Sequence, residues 1–403
     1  MSRIRRPAVI ATSVLLAGSA GLLGTVPAAA TAPSPATAAS YVALGDSYAS
    51  GGGTRAYIDD GTGCQRSVYG YPSLIAAADG FDLNLRACSG ATVADVARTQ
   101  LDALDAGTGY VTISAGGNDA GFAAVLTECA QPAWSSDCNG AVDGAEAVID
   151  NIVPGWLSGL YAGIRARAPQ ATVVVVGYPR LFDSGDCNAG TWFSPHEQAR
   201  LNAAADLLDA RLSAAASAAG FGYLNPTTAF VSHAVCEAPE WLNGLSMPIN
   251  ESYHPNRAGH SEGYAPLVSP VLTGGPLVVT ADVLARAEGS TARITDRQRG
   301  YATRDAGIRP EVFVKPDLDT PEARAAGLLA GVDLGSRASI DAVDARFSAI
   351  QAGASGFITE VTAVAAGVEV QVVQAGRQAV QAGRQVVDAA QAWGRALSVL
   401  LGG

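Results

Sequence analysis

Tyr41-Val42-Ala43-Leu44-Gly45-Asp46-Ser47-Tyr48 is the stretch on which the fold turns. Four apolar residues make a compact strand, Tyr41–Leu44. Gly45 ends it, and Asp46 or Ser47 can open a helix. The same cadence recurs downstream. Asp82–Ala87 alternates apolar and polar residues and runs into Cys88-Ser89-Gly90-Ala91-Thr92. Tyr110–Ser114 is a third predicted strand, followed by Gly116-Gly117-Asn118-Asp119. Thr172–Val176 is a continuous β-branched run, as a strand buried on both faces requires. Phe221–Leu224 makes a fifth. Ala-rich helical segments such as 154–166 and 195–219 lie between them. Strands alternating with helices predict right-handed crossovers and a parallel sheet with helices on both faces. Ligands of such sheets sit at the carboxyl ends of the strands.

The residues after the first three strands therefore share one end of the sheet. Ser47 sits where backbone N–H groups and a helix dipole favour developing negative charge. Gly90 lets the backbone approach a substrate oxygen, and the Asn118 amide can donate to an oxyanion. Late in the region comes Glu251-Ser252-Tyr253-His254-Pro255-Asn256. A serine hydroxyl needs a base to take its proton, and His254 suits that task near neutral pH. Taken singly, each motif has a plainer reading: a helix cap, a strand-to-helix turn, an Asx turn, a structural histidine. In this order and context they supply a nucleophile, oxyanion donors and a base.

The four blocks in order resemble the SGNH (GDSL) hydrolase family, with Ser47, Gly90, Asn118 and His254 matching its four letters. The resemblance spans about residues 41–270. It implies a flavodoxin-like three-layer α/β sandwich around a central parallel sheet of about five strands. It also implies acyl transfer from an ester to Ser47, with an oxyanion hole of the Ser47 N–H, the Gly90 N–H and the Asn118 side chain. No metal or organic cofactor is called for. The Cys64-Gln65-Arg66-Ser67 run and the cysteines look closer still to secreted actinobacterial esterases, lipases and phospholipases of that family. The family's usual Asp three residues before the His is Glu251 here. Either Glu251 is the third member, or the Ser252 carbonyl orients the imidazole; both stay open. The absence of any GxSxG motif disfavours an α/β-hydrolase elbow.

Composition and the N-terminus bound the setting. A formal net charge of −11 argues against a nucleic-acid partner. Arg3, Arg5 and Arg6, an apolar stretch from Ala8 to Val26, and the small residues Ala28–Ala30 read as a cleaved secretory signal, 1–30. A Pro/Ser/Thr-rich leader, 31–40, follows. Six cysteines in an exported chain point to disulfides. Fifteen pairings are open. The sequential one, 64–88, 129–138 and 187–236, closes the most local loops, and the family resemblance supports it.

A hydrolase domain is expected over 41–275 and a mainly helical C-terminal extension over 276–403, mixed with weak strand signals to about Ser355 and a long amphipathic helix after it. An apolar stripe at steps of three and four runs from Phe357 to Leu400. It reads either as a helix packed on its own chain, or as a surface for self-association or contact with lipid or cell surface. The expected activity is that of a secreted lipase or esterase, or a phospholipase, on small-molecule or lipid esters. Carbohydrate acetylesterase is the alternative within that chemistry. A cell-surface binding or self-association protein carrying the hydrolase fold is the alternative outside it.

Overall fold

The computed structural model describes residues 38–183, 185–310 and 312–365, with side chains apart from those of 354–365. The signal and most of the leader lie outside the described residues, as does the stripe beyond Ala365. Five strands form one parallel sheet: β1 (Ser40–Gly45), β2 (Asp82–Leu85), β3 (Tyr110–Ser114), β4 (Thr172–Val176) and β5 (Gly222–Leu224). Their order is β2-β1-β3-β4-β5. This is a doubly wound α/β sandwich, and the strand order reverses at β1/β3, where such sheets open a crevice. Register puts Gly45 beside Ser114, so the chain after β1 and the chain after β3 emerge together.

Local chemistry accounts for the elements. The valines of β4 are buried along the strand, as a sheet covered on both faces demands. Helix Pro195–Ala218 starts at a capping box of Ser194 and Glu197 with Pro195 in its first turn. Helix Pro195–Ala218 packs on β4 and β5, with Cys138–Asn151 and Val153–Arg167 against it and Phe122–Cys129 against Cys138–Asn151. Tyr71–Asp79 and Ala265–Thr273 pack together on strands of the same sheet. The cysteines pair Cys64–Cys88, Cys129–Cys138 and Cys187–Cys236. The first of these ties the chain entering helix Tyr71–Asp79 to the end of β2, next to Gly90.

The region after Gly275 is mainly helical among the described residues, as expected, while its weak strand signals before Ser355 form no strands. Among the described residues no strand follows Leu224. Thr280 and Thr320 accept backbone N–H groups as helix caps, and the chain runs through helices Ala281–Gly289, Thr291–Arg299, Ala302–Asp305, Pro321–Ala330 and Arg337–Ala365. Short polar helices with good caps outweigh the scattered β-branched residues that suggested strands.

These helices are built onto the sandwich. Ala281–Gly289 packs on Tyr71–Asp79, and Thr291–Arg299 on β2. The tightest link is ionic. Arg66 reaches Asp305 at 2.6 Å and Asp60 at 2.6 Å, and Arg86 reaches the two oxygens of Asp305 at 2.9 and 3.0 Å. The side chains of Arg66, Arg86 and Asp305 are fully shielded from solvent. The guanidiniums also donate to the carbonyls of Ala87, Arg86 and Thr99, and Arg86 stacks 3.9 Å over the Tyr301 ring. Two buried cations of the sheet region thus depend on one carboxylate of the extension. Asp305→Ala leaves them short of counter-charge, which typically costs about 3–5 kcal/mol. A fall in melting temperature on the order of 10 °C is expected by calorimetry, with a smaller fall for Asp305→Asn. An unchanged transition would show that the cluster does not anchor the extension.

Candidate active site

Ser47 is the first residue of a short helix, Ser47–Ser50, directly after β1. Asp46 caps it, its carboxylate accepting the Tyr48 N–H at 3.0 Å and the Tyr178 hydroxyl at 2.5 Å. Burial pushes the Asp46 carboxyl up to about 7, against the opposing pull of those two hydrogen bonds. The strand end is pinned from two sides. The Asp46 N–H donates to the Ser114 carbonyl at 2.9 Å. The Gln100 side-chain amide clamps Gly45, accepting its N–H at 2.7 Å and donating to its carbonyl at 2.9 Å.

His254 comes from the far end of the matched region. Its Nε2 lies 2.8 Å from Ser47 Oγ and its Nδ1 2.9 Å from the Ser252 carbonyl. A carbonyl oxygen only accepts, so Nδ1 carries the proton and Nε2 presents its lone pair to the serine hydroxyl. Burial lowers the His254 pKa below the ordinary histidine value, and the bond to Ser252 offsets part of the drop. The imidazole is therefore neutral, and able to take the Ser47 proton, at neutral pH.

Glu251, expected as one of two candidates for orienting His254, makes no hydrogen bond to it. The short turn Ile249–Glu251 carries the Glu251 carboxylate to the Tyr57 hydroxyl at 2.5 Å, and the side chain is buried there. Of the two alternatives, the atom beside Nδ1 is the Ser252 carbonyl. The other histidines serve elsewhere. His260 is buried and takes the Tyr71 N–H, with burial lowering its pKa to about 4. His233 stacks on Trp241, and His196 meets Asn139.

Gly90 and Asn118 line the same cleft as Ser47 and His254. The Asn118 amide donates one hydrogen to the Ala91 carbonyl at 3.0 Å, which leaves its second hydrogen for another acceptor. Asp119 holds the turn after β2 by accepting the Val93 N–H at 2.9 Å. Beside Ser47 a second, apolar cavity, partly open, runs between Leu126, Ile149, Tyr178, Leu181 and Leu208. Among the described residues no three His, Cys, Asp or Glu side chains converge as metal ligands do.

Several supports have no counterpart among the sequence motifs. Gly53 has φ +91°, and a Cβ on it would lie 2.3 Å from the Pro255 carbonyl and 2.8 Å from His254 Cβ. The histidine loop can approach Ser47 only because residue 53 has no side chain. The Gly51-Gly52-Gly53 run is the legible signal for this approach. Asn243 ties the two loops together, donating from its side chain to the Gly53 carbonyl at 2.9 Å and from its backbone to the His254 carbonyl at 2.9 Å. The Tyr48 hydroxyl donates to the Tyr253 carbonyl at 2.9 Å. Gln100 and Asn243 have no local motif to mark them.

The chain is similar to known proteins over the sandwich. The sequence model of the GDSL-like lipase/acylhydrolase family matches residues 43–261. A relative, Lipase 1 of Streptomyces coelicolor, is 43% identical over 273 residues, covering 67% of this chain and 99% of the relative. The crystal structure of phospholipase A1 from Streptomyces albidoflavus superposes with a TM-score of 0.54 at 41% identity, covering 58% of this chain and 98% of that one. The extracellular lipase of Streptomyces rimosus does so with a TM-score of 0.54 at 39% identity, covering 58% of this chain and 100% of that one.

The pH dependence follows from the imidazole. With His254 lowered by burial, kcat/KM for ester hydrolysis should rise with pH through a limb centred below about 6.5, the ordinary histidine value. Asp46→Asn and Glu251→Gln should leave that limb in place, since neither carboxylate bonds the imidazole. A limb that moves in Glu251→Gln, read from pH–rate profiles, would make Glu251 the partner of His254.

Proposed function

The chain belongs to the GDSL-like lipase/acylhydrolase family, and we propose that this carboxylic-ester hydrolase is exported and cleaves lipid-type esters through a Ser47–His254 dyad. The observation that carries the reading is the relay from Ser47 Oγ to His254 Nε2 and from Nδ1 to the Ser252 carbonyl, at 2.8 and 2.9 Å. Ser47 attacks the ester carbonyl while Nε2 takes its proton. The tetrahedral oxyanion is met by the Ser47 N–H, the Gly90 N–H and the second hydrogen of the Asn118 amide. His254 then gives the proton to the departing alcohol. A water deprotonated by His254 attacks the acyl-serine and releases the acid.

The Ser252 carbonyl bears no formal charge, so it orients the ring and stabilises the imidazolium less than a carboxylate would. The stabilisation falls instead on the oxyanion side, where fixed N–H donors meet the developing negative charge.

The apolar cavity beside Ser47 supports hydrocarbon acyl groups over acetyl, because a chain of several methylenes gains about 0.8 kcal/mol per buried CH₂ there. Export is supported by the arginine-led apolar stretch at 1–30 and by three disulfides, which persist in oxidising compartments. The similarity to an extracellular lipase points the same way. In this reading residues 41–275 are the hydrolase and 276–403 an extension.

Assay of p-nitrophenyl esters from acetyl to dodecanoyl tests the reading. Ser47→Ala should lower turnover by several orders of magnitude with the fold intact. Asn118→Ala should cost about 100- to 1000-fold, as loss of one oxyanion donor does. The kcat/KM should climb from acetyl toward medium chains. A maximum at acetyl would favour an acetylesterase, and normal turnover by Ser47→Ala would overturn the mechanism.

A further inference from the structure

Residues beyond the family-matched segment 43–261 reach into the cleft. After helix Ala302–Asp305 the chain turns, with the Ile308 N–H on the Asp305 carbonyl at 2.9 Å. It then crosses the site. A Cβ on Gly90 would lie 2.3 Å from Pro310 Cα and 2.7 Å from the Arg309 carbonyl oxygen, so this backbone rests directly on the Gly90 turn. Phe313 is buried and packs edge-to-face on Tyr253, the residue before His254, with ring centres 4.9 Å apart. The Val314 N–H donates to Thr127 Oγ1 at 2.9 Å on helix Phe122–Cys129. The crossing therefore runs from the Gly90 turn past the histidine loop to the helix on the other rim. It is held upstream by the buried Asp305 cluster.

Two cavities meet at Ser47, and they differ in chemistry. His254, Val312 and Phe313 line the cleft. None of these lines the apolar cavity on the Tyr178 side. In acyl transfer the departing alcohol must lie within reach of the imidazole that protonates it. The alcohol therefore belongs in the cleft with His254, and the acyl chain in the apolar cavity. From this, and resting on the acyl-transfer reading above, we infer that Val312 and Phe313 of the C-terminal extension roof the alcohol side of the site and select the ester by the bulk of its leaving group. Slender primary alcohols pass beneath the two apolar side chains. Branched or broad alcohols meet them. Val312 is 39% exposed, so it can be changed without opening the core.

The test uses the full chain and two substrate series. One holds the acyl group at butanoate and varies the alcohol: ethyl, isopropyl, 2-naphthyl. The other holds p-nitrophenol and varies the acyl chain. Val312→Ala should raise kcat/KM for isopropyl and 2-naphthyl butanoate relative to ethyl butanoate by about tenfold, the scale set by a methylene or two in an apolar pocket. Val312→Trp should lower the same ratio. Phe313→Ala should act as Val312→Ala does, and the exposed Val312 pair carries the test if Phe313→Ala fails to fold. The acyl-chain profile should stay as in the wild type throughout. An unchanged alcohol ratio overturns the inference, and so does a shift in the acyl profile in its place. A wild-type chain no more active than Ser47→Ala on every ester would instead overturn the acyl-transfer reading.

Discussion

The Pro255 carbonyl passes 2.3 Å from where a side chain on residue 53 would begin, and this forced closeness of two loops governs the site. Ser47 is set by the sheet, since β1 delivers it and the Ser114 carbonyl and the Gln100 amide pin the strand end. His254 has no strand behind it. Its position follows from a loop laid against Gly52 and Gly53 and stitched there by Asn243 and Tyr48. A hydrogen bond of 2.8 Å between Oγ and Nε2 tolerates an error of a few tenths of an ångström, so the contact between backbones has to be close and unyielding.

The same loop decides how the imidazole is oriented. With residues 252 and 254 in one tight turn, the carbonyl of the first falls beside Nδ1 of the second. Glu251 points instead to Tyr57. Burial of the ring favours the uncharged imidazole, the form that can accept a proton, and the Ser252 bond offsets only part of that preference.

The extension gives the sandwich a second layer of dependence. Arg66 and Arg86 lie two residues from the cysteines of the Cys64–Cys88 bridge, and both pair with Asp305, Arg66 sharing its charge with Asp60 as well. The chain that supplies that carboxylate goes on to cover Gly90 and Tyr253. The charge cluster and the cleft wall are consecutive parts of one segment. A chain cut at Gly275 would lose both at once.

Five strands are legible in the amino-acid order because the apolar runs at 41–44, 110–114 and 172–176 and the turns that end them are local signals. Short-range chemistry also marks Ser47, Gly90, Asn118 and His254, since each sits in a motif whose residues cap, turn or donate within a few positions. The alternation of strand and helix is enough to place the first three of these at one end of a sheet. Choice between Glu251 and Ser252 as the partner of His254 lies beyond local pattern, because it depends on which way a side chain turns toward Tyr57, nearly two hundred residues away. Gln100, Asn243 and Asp305 carry no mark for the same reason. Each acts on backbone or charge brought near it by folding, and nothing in its own neighbourhood records the partner. Periodicity and short-range hydrogen bonding therefore suffice for the sheet, its helices and the chemical groups at its carboxyl end. The orientation of the imidazole and the covering of the cleft by the extension come from folding alone, because both arise from contacts between segments that share no local code.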